Sequence, residues 1–316
     1  MERRRGAGPV PAPLLVLGGI LSVQFGGALA ATLLPLVGVP GSVALRLALA
    51  AVVVLAWTRP SLRGRSRADW TAVASYALAL GAMNWCFYGS LQRLPIGVAV
   101  TIEFVGPLVL SAVLSRHLRD AAAVGLAAVG VVLVSGAVNT PWHELDGIGI
   151  LLALAAGACW AAYILTSRRT GQHFAGLDGL AIAMALAAVV VLPFGAFEAG
   201  SELIGREALL KGVGIAVLSS VLPYSLEMVA LRRLAPNVFG ILLSLEPAVA
   251  ALAGLIVLGQ HLSPVKLIGM ALVVSASALI LGARHEPPPT RHPRTYDGSV
   301  SLPDSSLTTR SQQLMQ

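Results

Sequence analysis

Charge is the first scarcity in this sequence. Asp, Glu, Lys and Arg together make up 12% of its 316 residues, about half the share carried by a typical water-soluble domain. Too few charges are present to cover a water-facing surface, which excludes an ordinary soluble globule. Lysine is nearly missing, with Lys211 and Lys266 alone. Cysteine is limited to Cys86 and Cys159, so neither a disulfide framework nor a thiolate metal site is expected. Both lie in apolar runs and read as small packing residues. Whole motifs are absent too. No GxxxxGK[ST] loop occurs, which argues against ATP hydrolysis, and no HExxH, which argues against a zinc hydrolase. No aspartate-rich metal–diphosphate motif occurs, and no Ser or Cys nucleophile has an evident His base. These absences point away from an enzyme, a cofactor or a metal.

What is abundant is apolar sequence: 56% of residues are hydrophobic and the mean hydropathy is +0.80. A helix crossing the hydrocarbon core needs about 20 apolar residues. Ten such stretches can be marked, at 13–31, 40–57, 70–91, 95–114, 121–138, 147–166, 178–197, 208–230, 236–258 and 264–282. Polar joints such as RPSLRGRSRAD, RHLRD and NTPWHELD separate them. Their Gly and Ala content suits close helix approach in lipid. MERRR, an apolar run and ALA at 28–30 imitate a secretory signal. The run is long and nine more follow, so it is expected to remain as the first span.

The high pI, about 10.1, invites a nucleic-acid partner, but the placement of the basic residues argues against one. With the N-terminus cytoplasmic, only Arg93, Arg206, Lys211 and Lys266 fall outside and Arg46 falls within a span; the other basic residues are inside. That asymmetry is the positive-inside signature and predicts both termini in the cytoplasm. The segment from Arg284, PPPTRHPRTYDGSVSLPDSS in its middle, reads as a disordered cytoplasmic tail.

An internal repeat organises the spans. LQRLPIGVAVTIEFVGPLVLSAVL from Leu91 aligns with LRRLAPNVFGILLSLEPAVAALAG from Leu231. Arg93 meets Arg233, Leu94 meets Leu234 and Pro107 meets Pro247; HLRD at 117–120 then corresponds to HLSP at 261–264. The division is residues 1–12 as a cytoplasmic N-terminus, 13–141 and 142–283 as two five-helix repeats, and 284–316 as the tail. Five is odd, so the halves enter the membrane in opposite senses, as in many secondary transporters. The expected fold is therefore an all-α membrane protein of ten transmembrane helices in two inverted five-helix repeats.

Two glutamates stand in these matched spans. Glu103 lies about eight residues from the outer end of its span, roughly 12 Å along a helix, and Glu246 about ten residues from the inner end of its own, roughly 15 Å. Both reach the bilayer midplane, where repeat-built transporters place solute and coupling ions. A charge at such depth costs about 2.5–3.5 kcal/mol on insertion scales and marks a pathway more often than not. Protonated glutamates that tie helices together are the alternative. Pro107 and Pro247 free the carbonyls of Glu103 and Leu243 and offer kinks.

Other polar residues are candidates for solute contact. Arg46 interrupts the second span, either to attract a carboxylate, to pair with a buried glutamate or to snorkel outward. Asn84 and Tyr88 share a face at i,i+4, and Trp160 and Tyr163 do so at i,i+3. Tyr224 and Glu227 also share a face, but Arg232 and Arg233 lie about a turn away, so a structural ion pair at the cytoplasmic rim is expected for Glu227. His117 and His261 fall in loops with no ligand cluster.

The segments LLPLVGVPGSVALRLALA, GAMNWCFYGSLQRLPIGVAVTIEFVGP, GACWAAYILTSRR, LPYSLEMVALRRL and LLSLEPAVAALAGLIVLG resemble the drug/metabolite transporter superfamily, in particular its ten-span EamA-type exporters, and most closely the bacterial threonine/homoserine exporter family. The resemblance runs from about residue 15 to 282. It implies a permease of the bacterial inner membrane that exports threonine, homoserine or similar small amino acids in exchange for protons, with no cofactor. Export of drugs or other metabolites is the alternative within the class; a membrane scaffold or intramembrane enzyme is the alternative outside it. One departure stands out: the superfamily commonly has GE after the ninth span, whereas this chain has GQHLS with Gln260.

Overall fold

The computed structural model describes residues 10–115, 117–136, 141, 145–249, 252 and 263–282. Every regular element among them is helical: α1 (Ala12–Ala31), α2 (Leu34–Thr58), α3 (Arg67–Leu91), α4 (Ile96–Leu114), α5 (Leu118–Ser135), α6 (Gly147–His173), α7 (Asp178–Ala199), α8 (Arg206–Ala216), α9 (Leu222–Leu231), α10 (Pro236–Leu243) and α11 (Pro264–Gly282). A π-helical turn, Val217–Val221, joins α8 to α9, so Arg206–Leu231 is one apolar rod. Six of the described helical stretches are long and apolar enough to cross a bilayer, and three shorter ones, Ala12–Gly27, Val98–Leu114 and Pro236–Val249, are apolar as well. The protein is an all-helical, multi-span membrane protein.

Among the described residues a helix lies at or within each expected stretch, the ninth being described only as far as Val249 and at Leu252, with local differences. The second begins earlier, at Leu34, and is bent at Gly38, whose φ of 67° suits a residue without a Cβ. Pro40 follows inside the same helix. The eighth carries the π turn, where Ser22 Oγ of α1 donates to the Leu218 carbonyl at 2.6 Å. A neighbouring hydroxyl thus satisfies a backbone acceptor in a widened turn. Pro141, the proposed repeat boundary, is exposed. The tail from Arg284, His261 and Gln260 lie outside the described residues.

Helix starts follow local chemistry. Ser66 and Asp69 form a capping box on α3, and Asp146 Oδ1 accepts from Gly149 N at 2.8 Å to cap α6. The long pairings in the bundle are α2 with α7, α3 with α6, α5 with α11 and α4 with α6. Glycine sets the closest of them. A Cβ on Gly106 of α4 would collide with the Gly157 carbonyl of α6. Across α5 and α11, a Cβ on either Gly130 or Gly269 would lie 2.8 Å from the other's carbonyl oxygen. Small residues let the backbones touch where lipid offers no hydrophobic drive. Outward faces are apolar, with Leu78, Val113, Leu118, Val189 and Phe197 among the large exposed side chains. Trp85 belongs there too, edge-on to Phe194 at 5.1 Å.

Candidate functional site

Successive spans run in opposite directions, so the ends of α1, α3 and α5 share one end of the bundle with the starts of α2, α4, α6 and α11. A cavity of about 550 Å³ opens there: Ala30, Leu34, Leu91, Ser135 and Lys266 form its mouth. It descends to mid-bundle, where Asn84, Glu103, Trp160, Tyr224, Glu227 and Glu246 line it. Arg46 and Tyr88 line it as well.

The opposite end is tied together by polar contacts. His173 Nδ1 and Asp69 Oδ1 are 2.9 Å apart, and Arg65 sits 3.6 Å from Asp178 with its guanidinium 4.6 Å from the Phe174 ring centroid. Arg232 donates to the carbonyls of Gly171, Phe174 and Gly176, and Arg233 Nη1 to that of Val10 at 2.9 Å. None of these residues lines the cavity. Among the described residues, the cavity's lining gathers at the mid-bundle and at the end opposite these contacts.

Arg46 settles between its sequence alternatives. It is buried, and its Nη1 donates to Tyr88 Oη at 3.1 Å with the guanidinium carbon 5.4 Å from the ring centroid. The snorkelling reading is therefore wrong: bending of α2 at Gly38 and its packing along α7 turn position 46 inward, not along the lipid. Its Nε is buried and has no hydrogen-bond partner, and no carboxylate lies within 4 Å among the described residues. The guanidinium keeps donor capacity for an incoming group.

Asn84 Nδ2 donates to the Leu80 carbonyl at 2.8 Å and reaches Tyr224 Oη at 3.4 Å. One helix-internal bond fixes the amide, and its other proton spans α3 to α9. Asn84 and Tyr88 do face the same space, as their spacing predicts. Trp160 lines the cavity and stands edge-on to Phe104 at 4.9 Å. Tyr163 does not join it. Three residues further along α6, it is fully buried and turned to α3 and α9.

Glu227 corrects the sequence expectation most clearly. No ion pair joins it to Arg232 or Arg233, because both arginines are engaged by backbone carbonyls at the closed end. The carboxylate instead lines the cavity floor and accepts the Tyr163 hydroxyl proton at 2.7 Å. Helical geometry explains the miss. Position 227 lies on the inward face of α9 with Tyr224, while 232 and 233 have passed its end and face the rim.

Glu103 and Glu246 both line the cavity, and neither makes a hydrogen bond or ion pair among the described residues. They lie within electrostatic reach of one another, and Arg46 within reach of Glu103. The two prolines act differently. α4 runs unbroken through Pro107, and the carbonyl of Glu103, which Pro107 cannot serve, lies against Gly157 of α6. α10 stops at Leu243. Ser244 and Leu245 form a turn, with Leu245 N donating to Leu242 O at 3.1 Å, and helix resumes at Glu246. Glu246 therefore sits at a break in the backbone.

The cavity also holds residues that sequence patterns do not single out. Gln24 of α1, Ser219 of the π turn and Lys266 near the start of α11 line it. Their one sequence signal is a polar residue within or beside an apolar run. No cluster of three or more His, Cys, Asp or Glu suited to a metal occurs among the described residues. Cys86 and Cys159 are free and half-buried. His117 is exposed, next to the start of α5. Outside the membrane, the Asp146 carboxyl is held below the usual carboxylate range, first by the Gly149 N–H and then by Arg93 at 3.2 Å.

Comparison with known proteins agrees with this architecture. Residues 147–282 match the EamA-like transporter family. The chain is 42% identical over 281 residues to the threonine/homoserine exporter RhtA of Salmonella typhimurium, covering 88% of this chain and 95% of that one. It is 41% identical over 270 residues to RhtA of Escherichia coli K12, covering 85% and 91%. A solved crystal structure at 22% identity superposes with a TM-score of 0.68 over 86% of this chain and 98% of that one, a likeness of fold. The chain belongs to the EamA-like transporter family.

Proposed function

We propose that the protein exports small amino acids, threonine and homoserine among them, across the bacterial inner membrane in exchange for protons. The observation that carries this is one cavity, open at one end, containing three carboxylates (Glu103, Glu227, Glu246) and the guanidinium of Arg46. In a low-dielectric space the like charges repel, and one arginine balances one glutamate. Lys266 adds a second positive charge at the mouth, and protons or a solute ammonium group balance what remains at mid-bundle. A solute carrying both an ammonium and a carboxylate matches this mixture, with Arg46 free to take the carboxylate. The two curated relatives are named as exporters of two such solutes.

The repeat reading is supported by the packing itself. Exchanging α1 with α6, α2 with α7, α3 with α8–α9, α4 with α10 and α5 with α11 turns α3–α6 into α8–α9 against α1, and α3–α7 into α8–α9 against α2. Both partner pairings occur, and α2–α7, α4–α10 and α5–α11 map onto themselves. With both termini cytoplasmic, the cavity faces outward. In the cycle, the solute loads from the inner side, the halves rock, and it leaves through the mouth beside Lys266. Glu103 and Glu246 exchange protons as it passes.

The test is transport in proteoliposomes under an imposed pH gradient. Glu246→Gln is expected to lower proton-driven threonine export by roughly tenfold or more; undiminished export rejects the role of Glu246. A second reading, export of larger solutes, is favoured by the cavity size, about 550 Å³, which falls within the range that houses drug-sized ligands. Counterflow of labelled threonine blocked by homoserine, and not by bulky hydrophobic drugs, would support the amino-acid reading.

A further inference from the structure

One stretch of the cavity wall carries polar groups without charge. It lies between α1 and the π-helical turn that joins α8 to α9. The turn, Val217–Val221, closes with Leu222 N donating to the Val217 carbonyl, five residues back. A turn of this width holds one residue more than an α-helical turn, and such turns are frequent at functional sites. Two residues of α1 seat it. Ser22 Oγ donates to the Leu218 carbonyl at 2.6 Å. Gly26 lets the backbones approach: a Cβ there would collide with Ser219 Oγ and lie 2.8 Å from Ser219 N.

The wide turn decides where Ser219 faces. Ser219 precedes Glu227 by eight residues, which in an unbroken α-helix leaves it about 80° off the Glu227 face. The extra residue takes up most of that angle, and Ser219, Tyr224 and Glu227 all line the cavity. Ser219 is only 6% exposed, and its hydroxyl makes no hydrogen bond among the described residues. Gln24 lines the same wall from α1, and its amide is likewise uncommitted among them. It lies two residues from Gly26, so along α1 it stands about 3 Å from the level of Ser219.

A hydroxyl and a carboxamide can each donate and accept. The other polar groups of the cavity are charged or already engaged. The Asn84 amide serves the Leu80 carbonyl and Tyr224, and the Tyr88 hydroxyl receives Arg46. Charged groups suit the two ends of an amino acid; a neutral donor–acceptor pair suits a neutral polar side chain. Threonine and homoserine are one carbon chain with its hydroxyl on neighbouring carbons.

We infer that Ser219 and Gln24 form a subsite that reads the side-chain hydroxyl of the solute. This rests on the amino-acid reading above. The turn fixes Ser219, while the longer arm of Gln24 follows the hydroxyl from one carbon to the next. A solute lacking the hydroxyl leaves both groups unpaired in a wall with little water, and it is disfavoured for that reason.

The probe is 2-aminobutyrate, which is threonine or homoserine without the hydroxyl. Counterflow of labelled threonine, homoserine and 2-aminobutyrate is measured in proteoliposomes for the wild type, Ser219→Ala, Gln24→Leu and Ser220→Ala. Ser220 is the control: its buried Oγ has no partner, and it does not line the cavity. The wild type is expected to carry threonine at least tenfold better than 2-aminobutyrate. Ser219→Ala is expected to reduce that ratio about fivefold, Gln24→Leu to reduce the homoserine ratio more than the threonine ratio, and Ser220→Ala to leave both ratios within twofold. Equal loss of all three solutes in Ser219→Ala marks its hydroxyl as structural and overturns the subsite. Unchanged ratios in both Ser219→Ala and Gln24→Leu overturn it as well. A wild type that carries 2-aminobutyrate as well as threonine overturns the subsite and leaves amino-acid export standing. A wild type that carries none of the three removes the amino-acid reading, and the subsite with it.

Discussion

α4 and the stretch Pro236–Val249, which begins with α10, carry the same pair of features, a glutamate and a proline, and treat them differently. In α4 the glutamate precedes the proline by a full turn, and the helix continues through Pro107. The carbonyl left without a donor is housed against Gly157. After α10 the glutamate is adjacent to the proline, and regular helix lapses at Ser244 and Leu245 just before them. The difference teaches that a membrane proline need not break its helix. What matters is whether a neighbouring backbone comes close enough to shelter the freed acceptor. α4 has that neighbour in a glycine of α6. Glu103 thus hangs from a rigid rod and Glu246 from a joint, which makes Glu246 the better placed of the two to move during a cycle.

The comparison can be broken most severely at its support. Gly106→Leu drives a side chain into the Gly157 backbone, and a melt of detergent-purified protein should show a loss of about 3 kcal/mol or failure to fold. Gly125→Ala, with nothing within 4 Å of the added carbon, should be neutral or slightly stabilising in the same melt. Next is the contrast between the carboxylates. Glu246→Gln should reduce gradient-driven export roughly tenfold or more, and Glu103→Gln less, if the joint gives Glu246 the larger part. Smaller is the contrast between the prolines. Pro247→Ala should slow turnover a few-fold by letting α10 run through its break, whereas Pro107→Ala should leave the rate within about twofold, because α4 is already continuous.

The smallest effect concerns the cap that seats α6 beneath α4. The Asp146 carboxyl is lowered on folding, so its contribution is present above the ordinary carboxylate range and is lost as pH falls through the lowered value. Asp146→Asn should melt slightly below the wild type at neutral pH, and the two curves should converge in acid. A gap that widens in acid would reverse the sign of this argument.

Much of this was legible in the sequence because the bilayer restricts the choices. Apolar length gave the helices at their places, and arginine between runs marked their ends. Isolated polar residues in those runs, Arg46, Asn84, Glu103, Tyr224 and Glu246, all line the cavity. Rotation about a helix axis was harder to read. Trp160 and Tyr163 share a spacing but part company, one to the cavity and one to the α3–α6 interface, because three residues advance a helix by 300° and not a full turn. Glu227 was assigned to the nearest arginines along the chain, yet Arg232 binds carbonyls at and just after the end of α6, and Arg233 binds that of Val10 before α1.

The amino-acid sequence alone determined that the chain is helical and membrane-spanning, roughly where its helices lie, and which few polar side chains must find partners away from lipid. Those follow from local properties: hydropathy, capping and the cost of a bare charge. Only the tertiary structure decided that Tyr163 holds Glu227, that Arg46 faces inward with a donor to spare, that α10 breaks while α4 does not, and that the cavity opens at one end. Each of these depends on which backbone lies alongside, and in lipid that is set by packing between distant glycines and not by any pattern along a single helix.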